Sequence, residues 1–260
     1  YSKQKSLKNF PIPRKNGLRI RKIWKAITFI NHCLTNYRIV EFDHKLQPRP
    51  SFLWFQIKGF FLKYYFKISE HKLIKKCFST KPFFLVILQV STDSQITQGS
   101  DIKDNNEFIY EVIKNFAETK LSDINLVFKH HPRDRGYVNY SKQIEKISQE
   151  FKIGNNVFYI HDIFLSRVFK NKRCIGVILI NSTTGFQALF HSKPVKALGE
   201  SCYNIEGLTH QKDLVSFFSN PNKVDKLLFG KFYKYVLENT QINGNFDGYF
   251  PFDDVFIIKK

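Results

Sequence analysis

The chain has 260 residues, 43% of them hydrophobic and 24% charged, which excludes a disordered protein and allows one large or two modest globular domains. Its net charge is +19, from 41 Lys and Arg against 22 Asp and Glu, and residues 1–40 contain no acidic residue. This charge predicts an anionic partner, whether nucleic acid, anionic lipid or a phosphorylated substrate, although a solvated basic face gives the same count.

Features of the whole chain also indicate its compartment. Four scattered cysteines without a CxxC pair favour reduced, structural thiols in a cytoplasmic protein; they are Cys33, Cys77, Cys174 and Cys202. No uncharged apolar run approaches the roughly 18 residues of a membrane span, and the lysine-rich start does not resemble a signal peptide. Methionine is absent and the first residue is Tyr1, so we expect an N-terminally truncated piece of a longer protein.

Residues 1–80 are interpreted as the remainder of an N-terminal domain followed by a linker. Phe52–Phe66 is dense in aromatic residues with interspersed lysines. Such a stretch suits a helix at a membrane interface or, the interpretation favoured here, a core helix of a partly missing domain. Ser69–Pro82 is polar and lysine-rich, and it is expected to be the linker.

From residue 83 onward, apolar runs alternate with amphipathic helical patterns. The predicted strands are Phe83–Val90, Ile124–Lys129, Val157–Ile160, Ile175–Ile180 and Val195–Leu198. The predicted helices are Asn105–Lys120, Tyr140–Phe151, Ile163–Phe169, Phe186–Phe190, Gln211–Phe218 and Val224–Leu237. This alternation predicts an α/β fold over residues 81–238, a Rossmann-like parallel sheet with helices on both faces, and leaves 239–260 as a C-terminal tail.

The stretch Cys174–Glu200 reads as strand, polar turn, short helix and strand. The turn consists of small polar residues and a glycine: Asn181, Ser182, Thr183, Thr184 and Gly185. Hydroxyl groups there can cap the helix, and free backbone N–H groups beside them form a ready site for a phosphate or carboxylate. A capped turn without a ligand would show the same residues.

Reactive or anion-binding side chains follow four of the predicted strands. They are Gln89 and Asp93; Lys129, His130 and His131; His161 and Asp162; and Ser182, Thr183 and Thr184. Each alone usually caps an element or lies on the surface, but ligands of parallel sheets bind at the carboxyl ends of the strands, where these residues meet. Lysine and hydroxyl groups neutralise phosphate, imidazole donates to a leaving group, and a carboxylate acts as base or nucleophile. The set predicts a site for a nucleotide-linked substrate, and the absence of GxGxxG and Walker motifs argues against a dinucleotide cofactor.

Five segments carry a resemblance to a known family. They are 89–96 (QVSTDSQI), 128–137 (FKHHPRDRGY), 159–162 (YIHD), 180–209 and 241–246 (QINGNF). Together they resemble the capsular polysaccharide biosynthesis family, and within it the single-module β-Kdo transferases of capsule assembly. The resemblance covers roughly residues 60–250 and is specific, because the Q-x-x-x-D, K-x-H-P and S-T-x-G blocks occur together in order.

The resemblance implies a GT-B architecture, with two Rossmann-like domains and the site in the cleft between them. It implies transfer of Kdo from CMP-Kdo with retention of configuration, without a metal or a further cofactor. The acceptor would be a phosphatidylglycerol-type lipid. The protein would act in a capsule biosynthesis complex, peripherally on the cytoplasmic face of the inner membrane of a Gram-negative bacterium. Retention would require either a covalent Asp93 adduct or front-face attack, and the sequence leaves both open.

The resemblance also implies roles for individual residues. Asp93 would be the catalytic carboxylate with Gln89 beside it, and His131 would assist departure of the CMP phosphate. The remaining donor-binding residues would be Lys129, Pro132, Ser182, Thr183, Thr184 and Gly185. Gln187 departs from the pattern, since many GT-B donor domains carry a glutamate there for the donor sugar or ribose, and this leaves ribose recognition open.

Two other classes remain open at this point. One is a different nucleotide-sugar enzyme of the same fold, such as a sialyltransferase-like enzyme or an epimerase. The other is a basic nucleic-acid-binding protein. The aromatic residues lie in apolar blocks and not in an RNA-binding pattern, which argues against the second class.

Overall fold

A computed structural model describes residues 50–239 of the chain. Trp54–Gly230 form one compact unit. The predictions for residues 1–49 and for 240–260 lie outside the described residues, and the acceptor-side role of 1–80 stays a prediction. None of the helices in the described part is long and apolar enough to span a bilayer.

The core of the compact unit is a five-stranded parallel sheet, as predicted. Its strands are β1 (Phe83–Ile87), β2 (Asn125–Lys129), β3 (Val157–Ile160), β4 (Cys174–Leu179) and β5 (Val195–Ala197). They are ordered β3-β2-β1-β4-β5, and every neighbouring pair is parallel. The central strand β1 and its neighbour β2 are buried along their whole length, which explains their continuous apolar runs.

Helices fill the connections between the strands. They are α1 (Pro50–Ser69), α2 (His71–Ser79), α3 (Ser94–Gln98), α4 (Asn105–Glu118), α5 (Ser141–Glu150), α6 (Leu165–Lys170), α7 (Thr184–Phe190), α8 (Leu214–Ser219) and α9 (Lys226–Asn239). Short 3-10 turns occur at Pro132–Asp134 and Gly154–Asn156. The six predicted helices are confirmed with small shifts of their ends, whereas α3 was not predicted.

Alternate residues of β1 show that helices cover both faces of the sheet, as predicted. The ring of Phe84 lies 5.0 Å from that of Phe218 in α8. The next residue back, Phe83, points to the other face, where its ring lies 4.6 Å from Phe78 in α2. All four rings are buried, and truncating one of them to alanine would cost about 3–5 kcal/mol in the free energy of unfolding.

The predicted linker Ser69–Pro82 contains a helix that the sequence analysis did not predict, His71–Ser79, and its role between two domains stays a prediction. The inner face of this helix buries Cys77 and Phe78 against the sheet. Its lysines all lie on the exposed side; they are Lys72, Lys75 and Lys76. The polar composition came from this solvent face, and the two buried residues at its end were too few to reveal the amphipathic pattern.

Helix α1 occupies the predicted aromatic stretch, but only one of its faces packs on the unit. Phe55, Gly59, Leu62 and Phe66 are partly buried on that face. The opposite face is exposed within the described residues, and the interpretation as a core helix of a partly missing domain stays a prediction.

Three of the four cysteines lie in the described residues, and all three are free thiols. Cys77 and Cys174 are buried, and burial raises the pKa of each thiol to about 12. These two therefore stay protonated near neutral pH and behave as small apolar residues. Cys202 is exposed, and Cys33 lies outside the described residues.

Candidate active site at the carboxyl edge of the sheet

The strand order places a crevice outside the carboxyl ends of β1 and β4. The chain proceeds outward from β1 through β2 to β3, and then returns to build β4 and β5 on the other side. Ligands of open parallel sheets bind where the order reverses in this way. The loops after β1 and β4 carry several of the predicted site residues.

Gln89 joins the two loops that flank this crevice. Its side-chain Nε2 donates to Asn181 Oδ1 over 2.9 Å and to Asp93 Oδ2 over 3.4 Å. Its Oε1 accepts from the backbone N–H of Asn181 at 2.9 Å. The side chain of Asn105 bonds to both backbone groups of Gln89. Its Oδ1 accepts from the Gln89 N–H at 3.2 Å, and its Nδ2 donates to Gln89 O over 2.8 Å. Gln89 is buried, so these bonds hold it in one orientation.

Asp93 is half-buried and begins helix α3. Its Oδ1 accepts from the backbone N–H of Gln95 at 3.1 Å, an N-cap bond. Among residues 50–239, the other oxygen receives only the long bond from Gln89. The carboxylate is therefore oriented by the protein while one oxygen stays weakly bonded, as a base or nucleophile requires.

Asn181 anchors the Asp93 loop to the end of β4, a role that the sequence analysis missed. Its Nδ2 donates to Gln95 O over 2.7 Å, while its Oδ1 accepts from Gln89. Glu200 reinforces the junction, because its backbone N–H donates to Gly99 O over 2.6 Å. The sequence signal was present, since Asn181 follows the buried strand directly, but a capping role explained it equally well.

His131 is half-buried and begins the 3-10 turn that contains Pro132. Its Nδ1 accepts from the backbone N–H of Arg133 at 3.2 Å, so in the neutral ring the proton is on Nε2. Burial lowers the pKa of His131 to about 4, with smaller contributions from Lys129 and Arg133, while the Asp93 carboxylate opposes them. The ring is therefore neutral near pH 7 and offers Nε2–H as a donor.

Lys129 lies beneath the edge of the sheet and not at its surface. Its side chain is buried, and Nζ donates to His130 O over 2.9 Å. Burial lowers the pKa of Lys129 to about 8, and the Asp162 carboxylate partly counteracts this. Direct contact with a donor phosphate stays a prediction; the structure shows a cation close enough to influence His131.

Asp134 is a further residue that the sequence analysis missed. It is buried, and its Oδ2 accepts from the backbone N–H of Ser91 at 2.6 Å. Burial raises the pKa of the Asp134 carboxyl, and the hydrogen bonds from Ser91 oppose that shift. The bond fastens the loop that carries His131 to the loop that carries Asp93. Its position two residues after the H-P pair was the available signal.

Hydrogen bonds between its own residues fix the conformation of the hydroxyl-rich turn after β4. Ser182 Oγ donates to Thr184 Oγ1 over 3.0 Å and accepts from Thr184 N at 3.3 Å. Thr183 is exposed. Gly185 is buried against the ring of Tyr203, which leaves no room for a side chain, and the Tyr203 hydroxyl donates to Ser182 O. Local packing thus explains the glycine, and phosphate binding by this turn stays a prediction.

At the β2 and β3 end of the same edge, the polar side chains pair with one another. Glu70 is buried and accepts from the backbone N–H of His161 at 2.9 Å, and its other oxygen lies 2.5 Å from His161 Nδ1. Phe66 stacks on the His161 ring with a centroid separation of 3.6 Å. Arg135 and Asp162 form an ion pair of 2.6 Å. His161 and Asp162 were candidates from the sequence, whereas Glu70, which lies 91 residues before its partner, was missed.

His130 lies in the interior beside this cluster. The Tyr159 hydroxyl is 2.7 Å from His130 Nδ1, and it accepts from the backbone N–H of Tyr140 at 3.4 Å. Tyr159 and His130 therefore share one hydrogen bond, whose direction follows the tautomer of the ring. Burial lowers the pKa of His130 to about 3, and the nearby His161 adds to the effect.

Comparison with known proteins identifies the family. Residues 26–247 match the family described as Capsule polysaccharide biosynthesis protein. The chain belongs to this family.

Two curated proteins to which the chain is similar carry capsule names. The chain is 35% identical over 189 residues to the capsule polysaccharide export protein KpsS of Escherichia coli, a match that covers 72% of the chain and 48% of that protein. It is 38% identical over 188 residues to the capsule polysaccharide modification protein LipB of Neisseria meningitidis, with 71% and 44% covered. The chain thus spans about half the length of the curated relatives that it matches.

Among solved structures, the chain is similar to Thermosulfurimonas dismutans KpsC, a beta Kdo 2,7 transferase. The sequence identity is 20%, the TM-score is 0.37, and 74% of this chain and 56% of that one are covered. A likeness at this level does not transfer the roles of individual residues.

Two further observations delimit the site in this family member. Within residues 50–239, no group of three or more His, Cys, Asp or Glu side chains could hold a metal ion. A cavity of about 520 Å³ lies beside the edge strand β3, lined by residues of α5 and β3 and by Phe66 and His161. None of the predicted donor-binding residues lines this cavity, so we place the candidate site at the crevice between β1 and β4.

Proposed function

We propose that this chain forms the donor-binding part of a glycosyltransferase that moves Kdo from CMP-Kdo to a phosphatidylglycerol-type lipid during capsule assembly. One observation carries the proposal: Gln89 connects Asp93 and Asn181 across the crevice at 3.4 and 2.9 Å, beside the neutral imidazole of His131. Membership of the capsule polysaccharide biosynthesis family and the resemblance of the motif blocks to Kdo transferases support the choice of donor.

The chemistry assigns separate tasks to the two side chains. Transfer breaks the bond between the anomeric carbon of Kdo and the phosphate oxygen of CMP, and the oxygen leaves with the electron pair. His131 Nε2–H donates to that phosphate as its negative charge develops, and the positive charge of the buried Lys129 favours the same change. The acceptor hydroxyl forms the new bond to the anomeric carbon and gives its proton to the released CMP phosphate.

Asp93 supplies the anionic oxygen that this reaction needs. It acts either as the nucleophile of a covalent intermediate, in which case it leaves when the acceptor attacks, or as a group that assists front-face attack by the acceptor. Both routes retain the configuration of the sugar. Neither uses a metal or a further cofactor in this proposal.

The remaining parts of the proposal concern the whole protein. A second Rossmann-like domain would complete a GT-B cleft and contribute most acceptor contacts. The enzyme would work peripherally at the cytoplasmic face of the inner membrane of a Gram-negative bacterium, within a capsule biosynthesis complex.

Thermal unfolding in the presence of nucleotides tests the donor assignment. We expect CMP to protect the full chain, and UDP and NAD to have little effect. At about 100 times its dissociation constant, CMP should add about 2.7 kcal/mol to the free energy of unfolding. Equal protection by UDP would overturn the choice of donor and favour a different nucleotide-sugar enzyme of this fold, such as an epimerase.

His131→Ala sharpens the same experiment. Loss of one preorganised donor should weaken CMP binding and reduce Kdo transfer by about two orders of magnitude. His71→Ala is the matched control, since His71 is exposed at the start of α2, away from the crevice. Unchanged CMP binding and transfer by the His131 variant would return His131 to the role of a turn residue.

A further inference from the structure

The outward face of α1 exposes a large set of aromatic and aliphatic side chains. They are Trp54, Ile57, Phe60, Phe61, Tyr64, Tyr65 and Ile68, whose exposures run from 42% for Ile57 to 79% for Ile68. Monomeric proteins rarely expose a contiguous apolar surface of this extent unless it binds something. Here the residues recur at three- and four-residue spacing, so they form one continuous stripe along the helix.

The inward face of α1 fixes the direction of this stripe. The partly buried residues Phe55, Gly59 and Phe66 lie on the opposite side of the helix. Gly59 approaches the backbone of Gly136 closely, and a side chain at Gly136 would collide with Phe55 O. The Phe55 ring lies 4.7 Å from that of Tyr137. The helix is therefore fastened to the loop that follows the H-P pair, and its apolar stripe points away from the unit.

The charges around the stripe are of one sign. The exposed charged side chains of α1 and α2 are all lysines: Lys58, Lys63, Lys67, Lys72, Lys75 and Lys76. The only acidic residue between positions 50 and 79 is Glu70, and its carboxylate is buried and bonded to His161. A surface that combines exposed rings with lysines and lacks an exposed acid complements an anionic one.

We propose that the outward face of α1 is the surface by which this protein lies on an anionic phospholipid bilayer. The rings of Trp54, Phe61 and Tyr65 enter the headgroup region, where amphipathic aromatic side chains are favoured. The lysines reach the lipid phosphates along the flanks of the helix. A protein partner of the same chain or of another would need acidic groups to match these lysines, and the bilayer supplies such groups at high density.

Binding of the bilayer by α1 extends the proposed function. Its link to a lipid acceptor rests on that proposed function. Because α1 packs on the loop that follows His131, a bilayer against α1 would bring lipid headgroups to the side of the crevice. The binding test below uses no donor and no transfer assay. If the chain fails to transfer Kdo, the membrane-binding result is therefore unaffected. If it fails to bind vesicles, the result of the transfer assay is likewise unaffected.

The test measures binding of the full chain to vesicles of phosphatidylcholine alone and of phosphatidylcholine with phosphatidylglycerol in equal amounts. We expect binding to the anionic vesicles at least about tenfold stronger than to the neutral ones, and weaker at high salt. The triple variant W54S/F61S/Y65S should lose binding by at least about tenfold, because three large interfacial side chains are removed. The control F164S/L227S removes exposed apolar side chains elsewhere on the unit, 76% and 81% exposed, and should bind like the wild type.

Fluorescence locates the contact independently of binding strength. The chain has two tryptophans, so Trp24→Phe leaves Trp54 as the sole reporter. Its emission should shift to shorter wavelength on anionic vesicles and be quenched by brominated lipid. Vesicle binding with no shift of Trp54, or undiminished binding by the triple variant, would overturn the proposal. Loss of self-association in the triple variant, with wild-type vesicle binding, would assign the face to a second copy of the chain.

Discussion

The two halves of the carboxyl edge use similar side chains in different ways. Between β1 and β4, Asp93 and His131 are half-buried, and each keeps one polar atom free of a strong bond within the described residues. At the β2 and β3 end, both carboxylate oxygens of Glu70 bond to His161, at 2.9 and 2.5 Å. The neighbouring Arg135–Asp162 pair is 2.6 Å apart, but Arg135 Nε and Asp162 Oδ2 are buried without a hydrogen-bond partner among the described residues. In the proposed function the first half receives the donor, whereas the Glu70–His161 pair holds helix α1 against the sheet.

This difference teaches that a polar residue after a strand is not by itself a site residue. A side chain whose hydrogen-bonding capacity is satisfied internally contributes to stability, and its loss leaves a buried partner unpaired. A side chain that is oriented but incompletely bonded can act on a substrate. Substitutions should therefore affect transfer in the first half and unfolding in the second.

The largest expected effect is on transfer, from Asp93→Asn. The amide keeps the N-cap acceptor but cannot supply an anionic oxygen, so we expect normal folding, CMP binding and a loss of Kdo transfer of at least about three orders of magnitude. The assay needs a full-length version of the protein, and Asp101→Asn is the matched control on an exposed acid. A transfer rate near that of the wild type would contradict the role of Asp93 and make Asp162 or Glu200 the next candidate for the catalytic carboxylate.

A separate measurement addresses the covalent route. A Kdo-sized increase in the mass of the wild-type protein, located on Asp93 after incubation with donor alone, would support that route.

The next effect is on stability, from Glu70→Ala. This variant leaves the buried backbone N–H and ring of His161 without their acceptor, and we expect a loss of about 3 kcal/mol in the free energy of unfolding. Denaturant titration measures it, with Glu118→Ala on an exposed position of α4 as the control. A loss no greater than that of the control would show that the pair contributes nothing, and the contrast between the two halves would fail.

A smaller effect should follow from acidification. The pKa of His130 is about 3 in the folded protein, while the ordinary value is 6.5, so the unfolded chain binds a proton first as the pH falls. Stability is therefore lost below about pH 6.5, by about 2 kcal/mol from His130 between about pH 7 and 5. His130→Gln should remove that part of the decline in urea titrations at the two pH values. An unchanged pH dependence in the variant would contradict the neutral, buried ring.

The smallest effect concerns Asn181 as a positioning residue for Asp93. Asn181→Ala removes its bonds to Gln89 and Gln95 and should reduce transfer by about tenfold. Asn181→Asp loses the Nδ2 donor to Gln95 but keeps an acceptor for Gln89, and it should reduce transfer in the same way. Asn220→Asp, on an exposed position, is the control. If transfer is unchanged in both Asn181 variants, Asn181 is only a structural link.

The sequence by itself determined the sheet, most of its helices and the edge at which the candidate site lies. Continuous apolar runs such as Phe83–Ile87 occur in strands covered on both faces, and the amphipathic period of Asn105–Glu118 is that of a helix packed on a sheet. Because parallel strands all end at the same edge, the residues after them could be grouped without knowing the strand order. These patterns depend only on residues that are close together in the chain, so they can be recognised in a single sequence.

Only the tertiary structure decided which polar residues pair with which. Glu70 and His161 are 91 positions apart, and so no period or spacing connects them. The same holds for Gln89 with Asn181, and for the exposed stripe of α1, whose aromatic residues look like a core in the sequence. Burial and pairing depend on contacts between distant segments, and those contacts exist only once the chain has folded.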